Sequence, residues 1–249
     1  MDLELTGKRA IITGGSKGIG LAVAHALAAE GVDVVLAART KETLEKAAAQ
    51  VSERSGRRAI PVVTDTGDDE SVKALVARAV AELGGVDILV NNASNQSVGA
   101  GFPDLAGTSD EDFWADVNIK VVGYLRAARA VAPHLVQQGW GRIINVSGLG
   151  YRQTHSIVRS IRNVSVAALT KNLADELGPH GVNVTVVHPG QTRTETKNPT
   201  KESANNAIGR VVDAAEVADV IAFLASPRSV AITGDAVAAG GGLLGTVNY

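Results

Sequence analysis

Residues 151–171, YRQTHSIVRSIRNVSVAALTK, hold the side chains best suited to move a proton or steady a charge. If a helix already runs at 155, His155, Arg159 and Asn163 share one face at i, i+4 and i+8. An imidazole titrates near neutrality and a guanidinium does not, so the pair would join a proton source to a fixed positive charge. Arg159 cannot itself give up a proton; its part would be electrostatic, against a developing alkoxide or enolate. Just upstream, Ser147 and Tyr151 carry hydroxyls that could also donate, and a hydroxyl of the substrate itself is a further source. Arg159 with Arg162 could instead hold an anionic substrate group, a carboxylate or phosphate. A plainer reading, with His155 and Arg159 as solvated side chains on a loop, stands beside these.

A second constellation is TGGSKGIG at 13–20. Gly14, Gly18 and Gly20 let backbone approach a pyrophosphate, and the free N–H groups of a helix start favour negative charge. The spacing is G-x-x-x-G-x-G, and alone it is also compatible with an ordinary glycine-rich turn. The second apolar run ends LAARTK, with Ala38 where a carboxylate would bond an adenosine ribose and favour NAD. Arg39 and Lys17 suit a 2′-phosphate instead, which points to NADP(H); the alternative is two solvated cations.

These groups need a scaffold, and the rest of the chain describes one. Apolar runs at 9–14, 33–38, 59–64, 87–92, 142–147 and 183–188 read as buried strands, rich in Val or Ile and bounded by Gly, Asn or Asp. Amphipathic stretches such as TKETLEKAAAQVSERSG lie between them. The alternation predicts an α/β fold, a single Rossmann-like doubly wound parallel sheet with helices on both faces. With no repeat or linker, residues 1–249 read as one domain, and the polar insertion at 190–210 as a lid.

Hydrophobic residues make up 45% of the 249, enough for a sizeable core. Lys+Arg 24 against Asp+Glu 26 argues against nucleic acid as a partner. Zero cysteines remove disulfides, thiol nucleophiles and thiolate metal sites, and no metal is expected. The N-terminus lacks a cationic segment followed by an apolar one, and no apolar run approaches the roughly 20 residues that span a bilayer. The expectation is a cytoplasmic protein with no membrane contact.

Taken in order, TGGSKGIG, NNA at 91–93, VN ending at Asn118, PGQTRT at 189–194 and the C-terminal ITGDAVAAGGG resemble the short-chain dehydrogenase/reductase family over essentially the whole chain. The resemblance implies that Gly14, Ser16, Lys17, Gly18, Ile19 and Gly20 line the pyrophosphate and ribose. Asp65 and Thr66 would hold the adenine, and Asn92 and Ala93 the adenosine side, with Ser94 in place of the family's usual glycine. Pro189, Gly190, Thr192 and Thr194 would fix the nicotinamide carboxamide, and Asn118 would hold a relay water. It also implies a homodimer or homotetramer paired through the helices around 112–138 and 155–179.

The same resemblance breaks at the catalytic positions. Similar enzymes carry a serine after the fifth strand and a tyrosine and lysine one helical turn apart. An ungapped reading puts Arg159 at the tyrosine, Asn163 at the lysine and Gly148 at the serine; a shift of one residue puts Ser147 there. The reading that follows is an NADPH-dependent oxidoreductase reducing a carbonyl or conjugated carbonyl through an atypical site. A catalytically silent NADP(H) sensor or partner subunit, and a non-redox isomerase or dehydratase, are the alternatives.

Overall fold

The computed structural model describes residues 1–94, 105–152, 156–200 and 204–245, with backbone alone at 151 and 152. Each of the six apolar runs becomes a strand: β1 (Arg9–Thr13), β2 (Asp33–Ala38), β3 (Ala59–Val63), β4 (Ile88–Asn91), β5 (Gly141–Val146) and β6 (Val182–Pro189). In the central strands the runs are apolar without alternation because both faces are covered. Ile11 and Ile12 show this directly. Ile12 packs with Val23, Leu27 and Ile221 on one side of the sheet, while Ile11 packs with Leu75, Val131 and Leu135 on the other.

The strands stand in the order β3-β2-β1-β4-β5-β6-β9, every pairing parallel. This is the doubly wound arrangement expected from the alternation. The last strand, β9 (Ala236–Ala239), was not among the predicted runs. Its residues alternate between exposed and half-buried at the sheet edge, so no continuous apolar stretch marks it. Two-residue strands β7 (Thr192–Arg193) and β8 (Val212–Asp213) pair with each other and tie the two ends of the 190–210 insertion together.

The connecting helices are α1 (Gly18–Ala29), α2 (Lys41–Ser55), α3 (Asp69–Leu83), α4 (Asp110–Val117), α5 (Gly123–Gln138), α6 (Ile157–Leu177) and α7 (Ala214–Ala225). Two details of these helices aim the site. Between α4 and α5 the helix widens into a π turn at Asn118–Val122, which changes the direction of the side chains it carries. And α6 begins at Ile157, where the Ser156 hydroxyl accepts the Arg159 N–H at 3.4 Å. Arg159 and Asn163 are therefore one turn apart on a helix. The expectation that His155 shares their face concerns a position before this helix's described start. His155 itself lies outside the described residues.

Candidate active site

A doubly wound sheet opens a crevice at the carboxyl ends of its strands, where the winding reverses between β1 and β4. Here that edge is clamped by hydrogen bonds. The Thr13 hydroxyl accepts the N–H groups of Asn92 and Ala93 at 3.0 and 3.2 Å. The Asn92 amide donates to the Gly14 carbonyl at 3.1 Å. A cleft of about 1340 Å³ lies above them, larger than the roughly 300–1,000 Å³ of a small-ligand pocket.

At one end the wall is backbone. Gly14 and Gly18 have φ of +66° and +60°, which only glycine adopts without strain, and a Cβ on Gly20 would stand 2.2 Å from the Gly14 carbonyl. No side chain caps α1 from Lys17, so the helix start keeps its positive end open. That end already attracts an anion: the lid residue Glu195 accepts the Gly18 N–H at 2.6 Å. Ser16, Lys17 and Ile19 line this end with Gly14 and Gly18, followed by Ala38, Arg39, Thr40 and Thr43. Asp65, Thr66, Asn92, Ala93 and Ser94 continue the wall. Glycines that admit close approach, an open helix start and two adjoining cations fit a phosphorylated dinucleotide.

At the other end the wall is made of side chains. Ser147 and Gly148 follow β5, Pro189, Gly190, Thr192 and Thr194 follow β6, and Arg159, Arg162 and Asn163 come from α6. The Ser147 hydroxyl is turned to the Asn163 carbonyl at 3.4 Å. Asn163 is buried, and its Oδ1 has no hydrogen-bond partner among the described residues. Arg162 donates to both oxygens of fully buried Asp116, each at 2.6 Å. Arg159 is pushed down from its ordinary value by burial and then by the charge of Arg162.

Three groups at this end carried no signal in the reading of motifs. Lys120, on the π turn, is only 5% exposed and donates to the Ser147 carbonyl at 3.1 Å. Burial, then the neighbouring arginines, lower its ammonium from 10.5 to about 7, against the pull of Asp116. Asp116 is the buried counter-charge, and His188 on β6 meets Gly148 through Nδ1 at 3.1 Å. A lone lysine inside the apolar VNIKVVGYL was the available clue to the first of these.

Asn118 stands apart from this grouping. Its amide donates to the Gly67 carbonyl at 3.2 Å, and its own carbonyl accepts from Arg126 at 3.2 Å. Those bonds anchor the π turn to the loop after β3. The Tyr151 side chain and His155 lie outside the described residues. The lid, described from 190 to 200 and from 204 to 210, reaches the cleft through Thr196, Lys197, Asn198 and Pro199. No helix among the described residues is long and apolar enough to cross a membrane.

A family model described as short chain dehydrogenase matches residues 8–205. The short-chain reductase protein NovJ of Streptomyces niveus is 34% identical over 248 residues, spanning 94% of this chain and 92% of that protein. The crystal structure of L-sorbose reductase from Gluconobacter frateurii, complexed with NADPH and L-sorbose, superposes with a TM-score of 0.90. It is 30% identical and covers 99% of this chain and all of that one. A xylitol dehydrogenase bound to NAD+ superposes with a TM-score of 0.87 at 27% identity, covering 96% of this chain and 100% of that one.

Proposed function

The chain belongs to the short-chain dehydrogenase/reductase family, and from that premise we propose that it is an NADP(H)-dependent reductase of carbonyl or conjugated carbonyl compounds with an atypical active site. The observation that carries this reading is the continuity of one cleft from the glycine turn to the cationic end at Lys120, Arg159 and Arg162. A silent NADP(H) sensor needs only the first end; the cationic end supplies a place for a second ligand beside the cofactor.

Relatives of this fold are bound to either nicotinamide cofactor, NADPH in the sorbose reductase and NAD+ in the xylitol dehydrogenase. The choice rests on the residues that would meet the adenosine ribose. With Ala38 at the end of β2 and Arg39 and Lys17 beside it, a 2′-phosphate finds cations and a ribose diol finds no carboxylate. When bound, the reduced nicotinamide supplies a hydride. Gly14, Ser16, Gly18, Ile19 and Gly20 would hold the pyrophosphate side, Asp65, Thr66, Asn92, Ala93 and Ser94 the adenosine side, and Pro189, Gly190, Thr192 and Thr194 the carboxamide.

The reacting end lacks a tyrosine–lysine pair one turn apart, since Arg159 and Asn163 occupy those places on α6. Arg159 would stabilise the oxygen as it becomes an alkoxide, and the unpartnered Asn163 Oδ1 would accept a bond from a bound hydroxyl. The excess of cations over the single carboxylate of Asp116 favours a substrate carrying a carboxylate or phosphate. Pairing of two copies finds support in the exposed Ile157, Ile161 and Val164 along α6, with Leu125 on α5. The test is a panel of neutral and anionic ketones, aldehydes and enones with NADPH and NADH. The reading expects NADPH consumption above background, best with an anionic carbonyl; tight NADPH binding with no consumption across the panel would leave the silent reading standing.

A further inference from the structure

Resting on the reductase reading, we propose that Lys120 is the proton donor of the reaction, delivering its proton to the substrate oxygen from the π turn that forms the floor of the cleft. The placement comes first. Lys120 lines the cleft next to Ser147, Gly148, Arg159 and Asn163, and its Nζ reaches the Ser147 carbonyl at 3.1 Å. An ammonium has three donors. Among the described residues one is used on that carbonyl, which leaves two for a bound substrate.

The other described groups at this end are poor candidates. A guanidinium is no proton donor at neutral pH, which excludes Arg159, and Arg162 is committed to Asp116. The Ser147 hydroxyl faces the Asn163 carbonyl. The Tyr124 phenol is fully buried, donates to the Val146 carbonyl at 2.8 Å, and is pushed up by burial. The His188 ring is buried behind Gly148.

The surroundings of Lys120 explain why its proton is transferable. Asp116 faces it from α4, Arg159 and Arg162 from α6, and His188 lies behind the β5 turn. Burial and two guanidinium groups outweigh one carboxylate, which brings the ammonium to about 7. A donor is most effective when its pKa lies near the working pH. In the step, the carbonyl carbon gains the hydride, the C=O π pair moves to oxygen, and that oxygen takes a proton from Lys120. The neutral amine then takes up one proton from the bulk solvent, leaving alcohol and oxidised nicotinamide.

The experiment is the pH profile of kcat for the wild type, Lys120→Met and Lys120→Arg, with NADPH affinity measured on each as a check of folding. A protonated donor predicts a wild-type kcat that falls as pH rises through about 7. Lys120→Met should lose about 10²- to 10⁴-fold in kcat together with that pH limb. Lys120→Arg should be as slow, because it keeps the charge and cannot release the proton. Wild-type rate in Lys120→Arg would mean that charge alone matters and overturn the proposal; so would a limb that survives in Lys120→Met. A limb removed instead by Tyr151→Phe or His155→Gln would also overturn it, assigning the proton to that residue. Absence of any wild-type turnover, with NADPH bound, would sink the reductase reading itself and the donor role with it.

Discussion

The two ends of the cleft are built by different means. At the β1–α1 end the working groups are backbone: left-handed Gly14 and Gly18, the open start of α1, and the Asn92–Gly14 bond that holds the turn against β4. At the α6 end they are buried side chains whose charges depend on one another, Asp116 with Arg162, and Lys120 under both. A backbone cradle binds any dinucleotide of the right shape and gains selectivity from a cation or two at its rim. A cluster of interacting charges sets a proton affinity, which is what chemistry on a carbonyl needs. The comparison teaches that one cleft can join a wall of backbone to a wall of mutually dependent charges.

Removing the counter-charge should have the largest effect. Asp116→Ala leaves the Arg162 guanidinium buried and unpaired, a change that costs about 3–5 kcal/mol in comparable cases. Denaturant unfolding monitored by circular dichroism should show it as a large drop in midpoint. If the stability is unchanged, the charges at this end are not coupled as described. The gentler Asp116→Asn removes the one group that raises Lys120. The basic limb of kcat should then move to lower pH, and a shift upward would contradict the sign.

Arg159→Ala should lower kcat by about 10²- to 10³-fold, the usual effect of losing one group that stabilises an oxyanion. A change confined to KM would mean that Arg159 holds the substrate's anionic group instead. At the other end, Arg39→Ala should weaken NADPH by roughly 10- to 100-fold, the equivalent of one charge-assisted hydrogen bond, and leave NADH nearly untouched. Equal losses for both cofactors would place Arg39 elsewhere than the 2′-phosphate.

Smallest is the effect expected at the lid. Glu195 occupies the Gly18 amide that a pyrophosphate would use. Glu195→Gln should therefore tighten NADPH by roughly two- to fivefold, the scale of one charge at a helix start. Titration by fluorescence would detect it, and weaker binding would show that the carboxylate assists the cofactor rather than competing with it.

The contrast between the two ends also accounts for what could be read in advance. Six strands and the glycine turn follow from runs and spacings that are local in sequence, and the sheet bears them out. The β9 strand escaped because an exposed edge strand needs no apolar run. Lys120 escaped because its neighbours come from positions 116, 147, 159 and 162, and only the packing of α6 against the π turn brings them together. Its burial is a tertiary fact. Asn118 is plain in the sequence by its motif, and its amide donates to the Gly67 carbonyl. The face proposed for His155 falls outside the described residues, which resume at Ser156, the cap of α6.

The claim that joins both ends is that hydride passes from a cofactor held at the glycine turn to a carbonyl held over Lys120. The most direct measurement supplies NADPH deuterated at nicotinamide C4, in each diastereomer separately, with the best carbonyl of the panel, and analyses the product by mass spectrometry. Deuterium from one diastereomer on the former carbonyl carbon is the predicted result. Product formed without label from either, or a bound and unchanged cofactor, would contradict the account.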